Sequence, residues 1–148
     1  MQYDDPPRIA IDHDDYHAEY VGRAGDGRQF FLTTPFQWAM GDAPDCEYIA
    51  LFLFDDDGAL VEHTIDTLGP RHEVDRAHAR SLIEQRLASL GDVQYGRIVV
   101  RPFSVEHGGT LFGLIPRLSE DGAVEAVELL PGNYMAFFEP WDSGIYDT

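Results

Sequence analysis

The sequence predicts an α+β fold: a curved, mostly antiparallel sheet of about eight strands, ordered four strands, one helix, four strands, with the helix packed on one face. Three observations predict it. Short apolar or alternating segments recur along the chain, separated by turns rich in Gly, Asp and Pro. One stretch alone, residues 75–90, changes to helical spacing. Strands and helices do not alternate, which argues against a parallel α/β arrangement.

Residues 1–15, MQYDDPPRIAIDHDD, read as an acidic lead-in. Residues 16–21 alternate and read as a strand, closed by the turn RAGDGR, whose glycines and aspartate tolerate positive φ. Residues 28–38 read as the next strand, with Pro35 marking its end or a sheet edge. The loop AMGDAPDC follows. Residues 48–54 are almost continuously apolar, the mark of a central strand covered on both faces. DDDG and the strand 59–68 complete a hairpin.

In the helix, Ala79, Leu82, Ile83, Leu87 and Leu90 form the apolar stripe. Asp75 is placed to cap its start, and Gly91 is placed as the first residue past its end. Four strands then follow, at 97–106, 110–117, 124–130 and 134–139. Their connections, HGG, SEDGA and PGN, are short enough to force antiparallel neighbours. Pro131-Gly132 suits a type II turn. The chain ends NYMAFFEPWDSGIYDT. Aromatics on both sides of that last strand place Phe137 and Phe138 in the core. Trp141 and Tyr146 would seal the end of the sheet.

A length of 148 residues suits a single domain over 1–148. Apolar content of 44% and aromatic content of 12% exclude a disordered chain. No apolar run approaches the ~18 residues of a membrane span, so no membrane association is expected. The N-terminal residues lack a basic segment followed by an apolar one, which reads against a secretory signal and for a cytoplasmic address. One cysteine, Cys46, excludes an intramolecular disulfide and a zinc site built from cysteines.

Charge is the dominant feature: 27 acidic residues face 10 basic ones, a net of -17. Every basic residue is Arg, so lysine Schiff-base or general-base chemistry is excluded. Nucleic acid is excluded as a ligand class, because a phosphate backbone needs a cationic footprint. The acidity fits a solvated surface from a GC-rich or halophilic source, or a partner with a basic surface.

Motif spacing argues against several chemistries. FDDDGALVE fails as a calcium loop: with Gly58 at its sixth position, Leu53 falls at the first and Thr64 at the twelfth. His13 and His17 are four apart in a strand-like segment, roughly 13 Å along it, too far for one metal. RHEVDRAH lacks the spacing of a zinc-protease helix and reads as an acid-rich helix start. HGG has the residues of an esterase oxyanion loop but no G-x-S-x-G elbow, and a hairpin turn explains it. No catalytic residues, metal or cofactor are expected.

The reading of function is therefore a non-catalytic acidic binding domain, inhibitor- or immunity-like, toward a basic protein partner. Trp141, Asp142, Tyr146 and Asp147 form an acidic-aromatic patch suited to Arg-rich surfaces. The alternative is a small-molecule binder or small enzyme with a pocket at the mouth of the curved sheet, using Arg86, Glu106 and His107. Arg86 lies within the apolar stripe, so it must snorkel or pair with a strand carboxylate such as Glu128 or Glu62. A further alternative is a salt-adapted protein whose acidity reports habitat. The doubly apolar strands also leave room for a homodimer covering one sheet face.

Overall fold

The computed structural model describes residues 8–14, 18–132 and 135–141, with residues 144–146 described as backbone. In chain order the strands are β1 (Ile9–Ile11), β2 (Tyr20–Arg23), β3 (Gln29–Thr33), β4 (Phe36–Gln37), β5 (Cys46–Phe54) and β6 (Leu60–Gly69). The helix α1 (Arg76–Ala88) follows, then β7 (Gln94–Tyr95), β8 (Ile98–Val100), β9 (Phe103–His107), β10 (Thr110–Leu118), β11 (Val124–Leu130), β12 (Met135–Phe137) and β13 (Gly144–Tyr146).

Every strand pairing is antiparallel. In the six-stranded sheet β5 is central. β3 and β4 pair along one edge of it, β6 along the other, and β2 and β7 continue beyond β3. A five-stranded sheet runs β13-β12-β11-β10-β9, and β1 pairs with β8 alone.

The α+β class and the helix on one sheet face stand as expected. The single curved sheet of about eight strands does not: the strands divide among three sheets, none of them closed. One break bears on the division. The segment 97–106 splits because Pro102 has no N–H to donate and Arg101 N–H is drawn to Gly58 O at 2.8 Å. Its halves, β8 and β9, join different sheets. Residues 28–38 also break, at Thr34-Pro35, but both halves stay in the six-stranded sheet, paired with β5. The lead-in also contains a strand: Ile9, Ala10 and Ile11 form β1 and are buried. Three apolar residues between prolines and aspartates are too short a run to register as one.

β5 shows how the layers are held. Tyr48, Ala50, Phe52 and Phe54 enter one core, with β1, β8 and the inner face of the five-stranded sheet. Ile49, Leu51 and Leu53 enter a second core beneath α1. The period-2 alternation of a strand thus serves two cores at once, and both faces are covered within the chain. No second copy is needed to cover them.

Asp75 caps α1 as its position predicts, accepting from Ala77 N at 3.0 Å and His78 N at 3.3 Å. Ser89 is the C-cap, so Gly91, with φ of 76°, falls one residue later than expected. Among the described residues no helix is long and apolar enough to cross a membrane.

Candidate functional site

Arg86 reaches from α1 to β6. Its Nε and Nη2 donate to the two oxygens of Asp66 at 2.9 and 2.7 Å, a bidentate pair. The bond to Asp66 raises the pKa of the guanidinium further. The expected type of partner is present but its identity differs. Glu62 instead lies 3.5 Å from Arg28, and Glu128 lies 3.5 Å from Arg117. Asp66 is opposite Ile49 in the β5–β6 ladder, on the face that α1 covers. Beside this pair a cleft of about 560 Å3 opens between the helix end and the sheet. Leu51, Leu53 and Leu90 line it with Arg28, Glu62 and Arg86.

Glu106 and His107 end β9. The register His107↔Thr110 makes Gly108-Gly109 a two-residue turn, and φ values of 57° and 84° suit the glycines there. His107 turns inward: Nε2 lies 3.0 Å from Thr67 Oγ1, and the ring meets Tyr48 and Phe112 edge-on. Glu106 turns outward, opposite Leu111. Thr67 follows Asp66 on β6, and neighbouring residues of a strand face opposite sides. β6 therefore holds His107 on one side and Arg86 on the other. The pocket that would unite Arg86, Glu106 and His107 is not formed.

The tail is partly described. Trp141 is half-buried against the inter-sheet core. Its N–H donates to Phe138 O at 2.7 Å, and its carbonyl accepts from Ala10 N at 2.9 Å, so its backbone ties the tail to β1. Phe137 is buried, but Phe138 is 39% exposed, contrary to its expected place in the core. Phe138 directly follows Phe137, the last residue of β12, and successive side chains of an extended chain point to opposite faces. Tyr146 pairs by its backbone with Met135. Its side chain, Asp142 and Asp147 lie outside the described residues, as does His17.

A second cleft, about 390 Å3, lies between the 38–45 loop and the β9–β10 turn. Trp38, Met40 and Leu111 line it and are 65%, 66% and 38% exposed. The sequence pattern places Trp38 at the end of the strand 28–38 and Met40 in the loop that follows, and marks neither as a surface. The signal was a Trp and a Met within three residues, among polar and turn-forming neighbours. The Trp38 ring rests edge-on against Phe36, centroids 4.9 Å apart, and the Arg71 guanidinium lies 3.8 Å over Phe36. Arg71 and Arg76 both clasp Glu47, at 2.9 and 2.8 Å. Arg76 first, and Arg71 with it, hold the Glu47 carboxyl below its ordinary range against the opposing effect of burial. Tyr48 and Cys46 also line the cleft. Burial pushes the Tyr48 phenol up, and its oxygen lies 3.4 Å from Thr110 Oγ1. Among the described residues, no three His, Cys, Asp or Glu side chains converge as a metal site.

No protein-family model, no curated protein and no solved structure matches this chain.

Proposed function

We propose that this chain is a non-catalytic binding domain whose acidic surface engages a basic protein partner, in the manner of an inhibitor or immunity protein. The observation that carries this reading is how the charges are divided. Among the described residues, seven arginines, of ten in the chain, form ion pairs with carboxylates of the same chain. The cations are largely committed within the fold, and the surplus of carboxylates is left for solvent or a partner. Such a surface steers a basic partner into encounter.

The test is affinity capture of the tagged protein from its native lysate, at low and at near-molar salt. A single basic protein held at low salt and released at high salt is the expected result, since screening reaches about 3 Å at 1 M. No basic protein at either salt overturns the reading.

A second reading draws on the cleft beside Arg86, whose apolar floor and paired guanidiniums suit a small molecule with a polar group. A metabolite that raises the melting temperature of wild type but not of Leu53→Asp would favour it.

A further inference from the structure

We propose that the cleft between the 38–45 loop and the β9–β10 turn docks a basic segment carrying a large apolar side chain. The apolar side chain lodges among Trp38, Met40 and Leu111, and its Lys or Arg neighbours meet Asp42, Asp45 and Glu106. This rests on the reading of a basic partner and gives that partner a surface.

Single exposed apolar residues are ordinary, but three large ones converging on one cleft are not. Trp38 is already braced by Phe36, so little side-chain freedom is lost on contact. Trp is also the side chain most enriched among residues that dominate binding energy. The rim selects the charge. Asp42 sits within the loop, Asp45 lies between the lining residues Pro44 and Cys46, and Glu106 stands opposite Leu111. None of these three carboxylates has an ion pair among the described residues, whereas the nearby Arg71 and Arg76 are taken by Glu47. An anionic membrane or an acidic peptide would meet repulsion here. A second copy of the chain would bring the same carboxylates against their own kind.

The chain supplies its own reporter, because Cys46, its one cysteine, lines the cleft. The probes are three blocked peptides: Arg-Lys-Leu-Phe-Lys-Arg, the equally charged Arg-Lys-Ser-Ser-Lys-Arg, and the acidic Glu-Asp-Leu-Phe-Asp-Glu. Calorimetry in low salt gives affinities, and the rate of Cys46 modification by a thiol reagent reports occupancy. The first peptide is expected to bind at least about tenfold more tightly than the other two and to slow Cys46 modification. Trp38→Ala, and separately the double variant Asp42→Asn/Asp45→Asn, should each weaken it about tenfold with the circular dichroism spectrum unchanged. The double rim variant keeps the test open if Trp38→Ala folds poorly.

Equal binding of both basic peptides with Cys46 unprotected would overturn the cleft assignment and leave the broader reading standing. So would equal binding of the acidic peptide. Absence of peptide binding overturns the cleft assignment too, while lysate capture judges the basic-partner reading on its own.

Discussion

The side chain of Gln29 bonds both backbone groups of Val99. Its Oε1 accepts from Val99 N at 2.7 Å, and its Nε2 donates to Val99 O at 2.9 Å and to Asp55 O at 3.0 Å. A 4%-exposed amide on β3 thus imitates a strand and holds β8 against the six-stranded sheet. Gln29→Leu keeps the volume and strips these bonds. We expect it to cost about 2 kcal/mol, from buried groups left unmet. Gln29→Glu should cost more at pH 8, where a carboxylate would face two carbonyl oxygens, and less at acidic pH, where the protonated acid can donate to one. Urea unfolding of both variants at two pH values checks this. Equal stability of Gln29→Glu at both would refute the geometry.

Arg86 and Asp66 are 29% and 21% exposed, so their pair is neither a free surface contact nor sealed from water. Removing one partner leaves the other charge partly buried without compensation. Asp66→Ala should cost about 1–2 kcal/mol, less than for a fully buried pair because solvent screens part of the charge. Arg86→Met combined with Asp66→Leu should recover most of that loss by packing apolar side chains beneath α1. The double-mutant cycle is expected to give a coupling of about 1 kcal/mol. Strict additivity of the two single losses would mean the pair contributes nothing.

Glu47 offers a pH test. Its folded pKa lies below the usual 4.5 because Arg76 and Arg71 favour the charged form. For a depressed carboxyl, the stabilisation is complete above the unfolded pKa and fades as pH falls through the folded value. The stability gap between wild type and Glu47→Gln should therefore be constant from pH 7 to about pH 5.5 and shrink steadily below 4.5. Denaturant unfolding at pH 7, 5.5, 4 and 3 measures the gap. A gap that persists undiminished at pH 3 would count against the double arginine clasp.

Gly113 lies where β9 and β10 approach closely. A Cβ placed there would fall 2.1 Å from Phe103 O, and the backbone φ is 141°, which side chains rarely adopt. The nearest atoms are all backbone of Phe103 and Ser104, which leaves no flexible side chain to yield. Gly113→Ala should cost about 3 kcal/mol or more, or prevent folding. Thermal unfolding beside wild type decides it. A loss under about 0.5 kcal/mol, the scale of an ordinary surface change, would place the ladder wrongly.

What the sequence made legible is what local pattern encodes. The β5 run, the Asp75 cap, the Gly108-Gly109 turn and the stripe of α1 each rest on spacing within a few residues, so each could be read directly. The partner of Arg86 could not. Asp66 is 20 positions away on a strand, and only the sheet register decides which of several acids meets the guanidinium. Gln29 is 70 positions from Val99, with the same difficulty. β1 is three residues long, below what alternation can register. Trp38 was missed for a different reason: exposure of a large apolar side chain is a property of the assembled surface. A pattern that equates apolar with buried cannot signal its own exceptions.

Salt separates habitat from partner. At -17, the chain's unpaired carboxylates repel one another, and that repulsion opposes compaction. Added salt weakens both the repulsion and the surface ion pairs. Exposed pairs such as Arg23–Asp56 contribute little, so relief of repulsion wins and stability should rise with salt. Screening shortens from about 10 Å at 0.1 M to about 3 Å at 1 M, so most of the gain should be complete below 1 M sodium chloride. Melting temperature measured from 0.05 to 3 M tests this. A plateau fits an acidic surface kept for a basic partner in ordinary salt. A melting temperature that keeps climbing steeply to 3 M would mean the surface is built for multimolar salt, and the basic-partner reading would lose its main support.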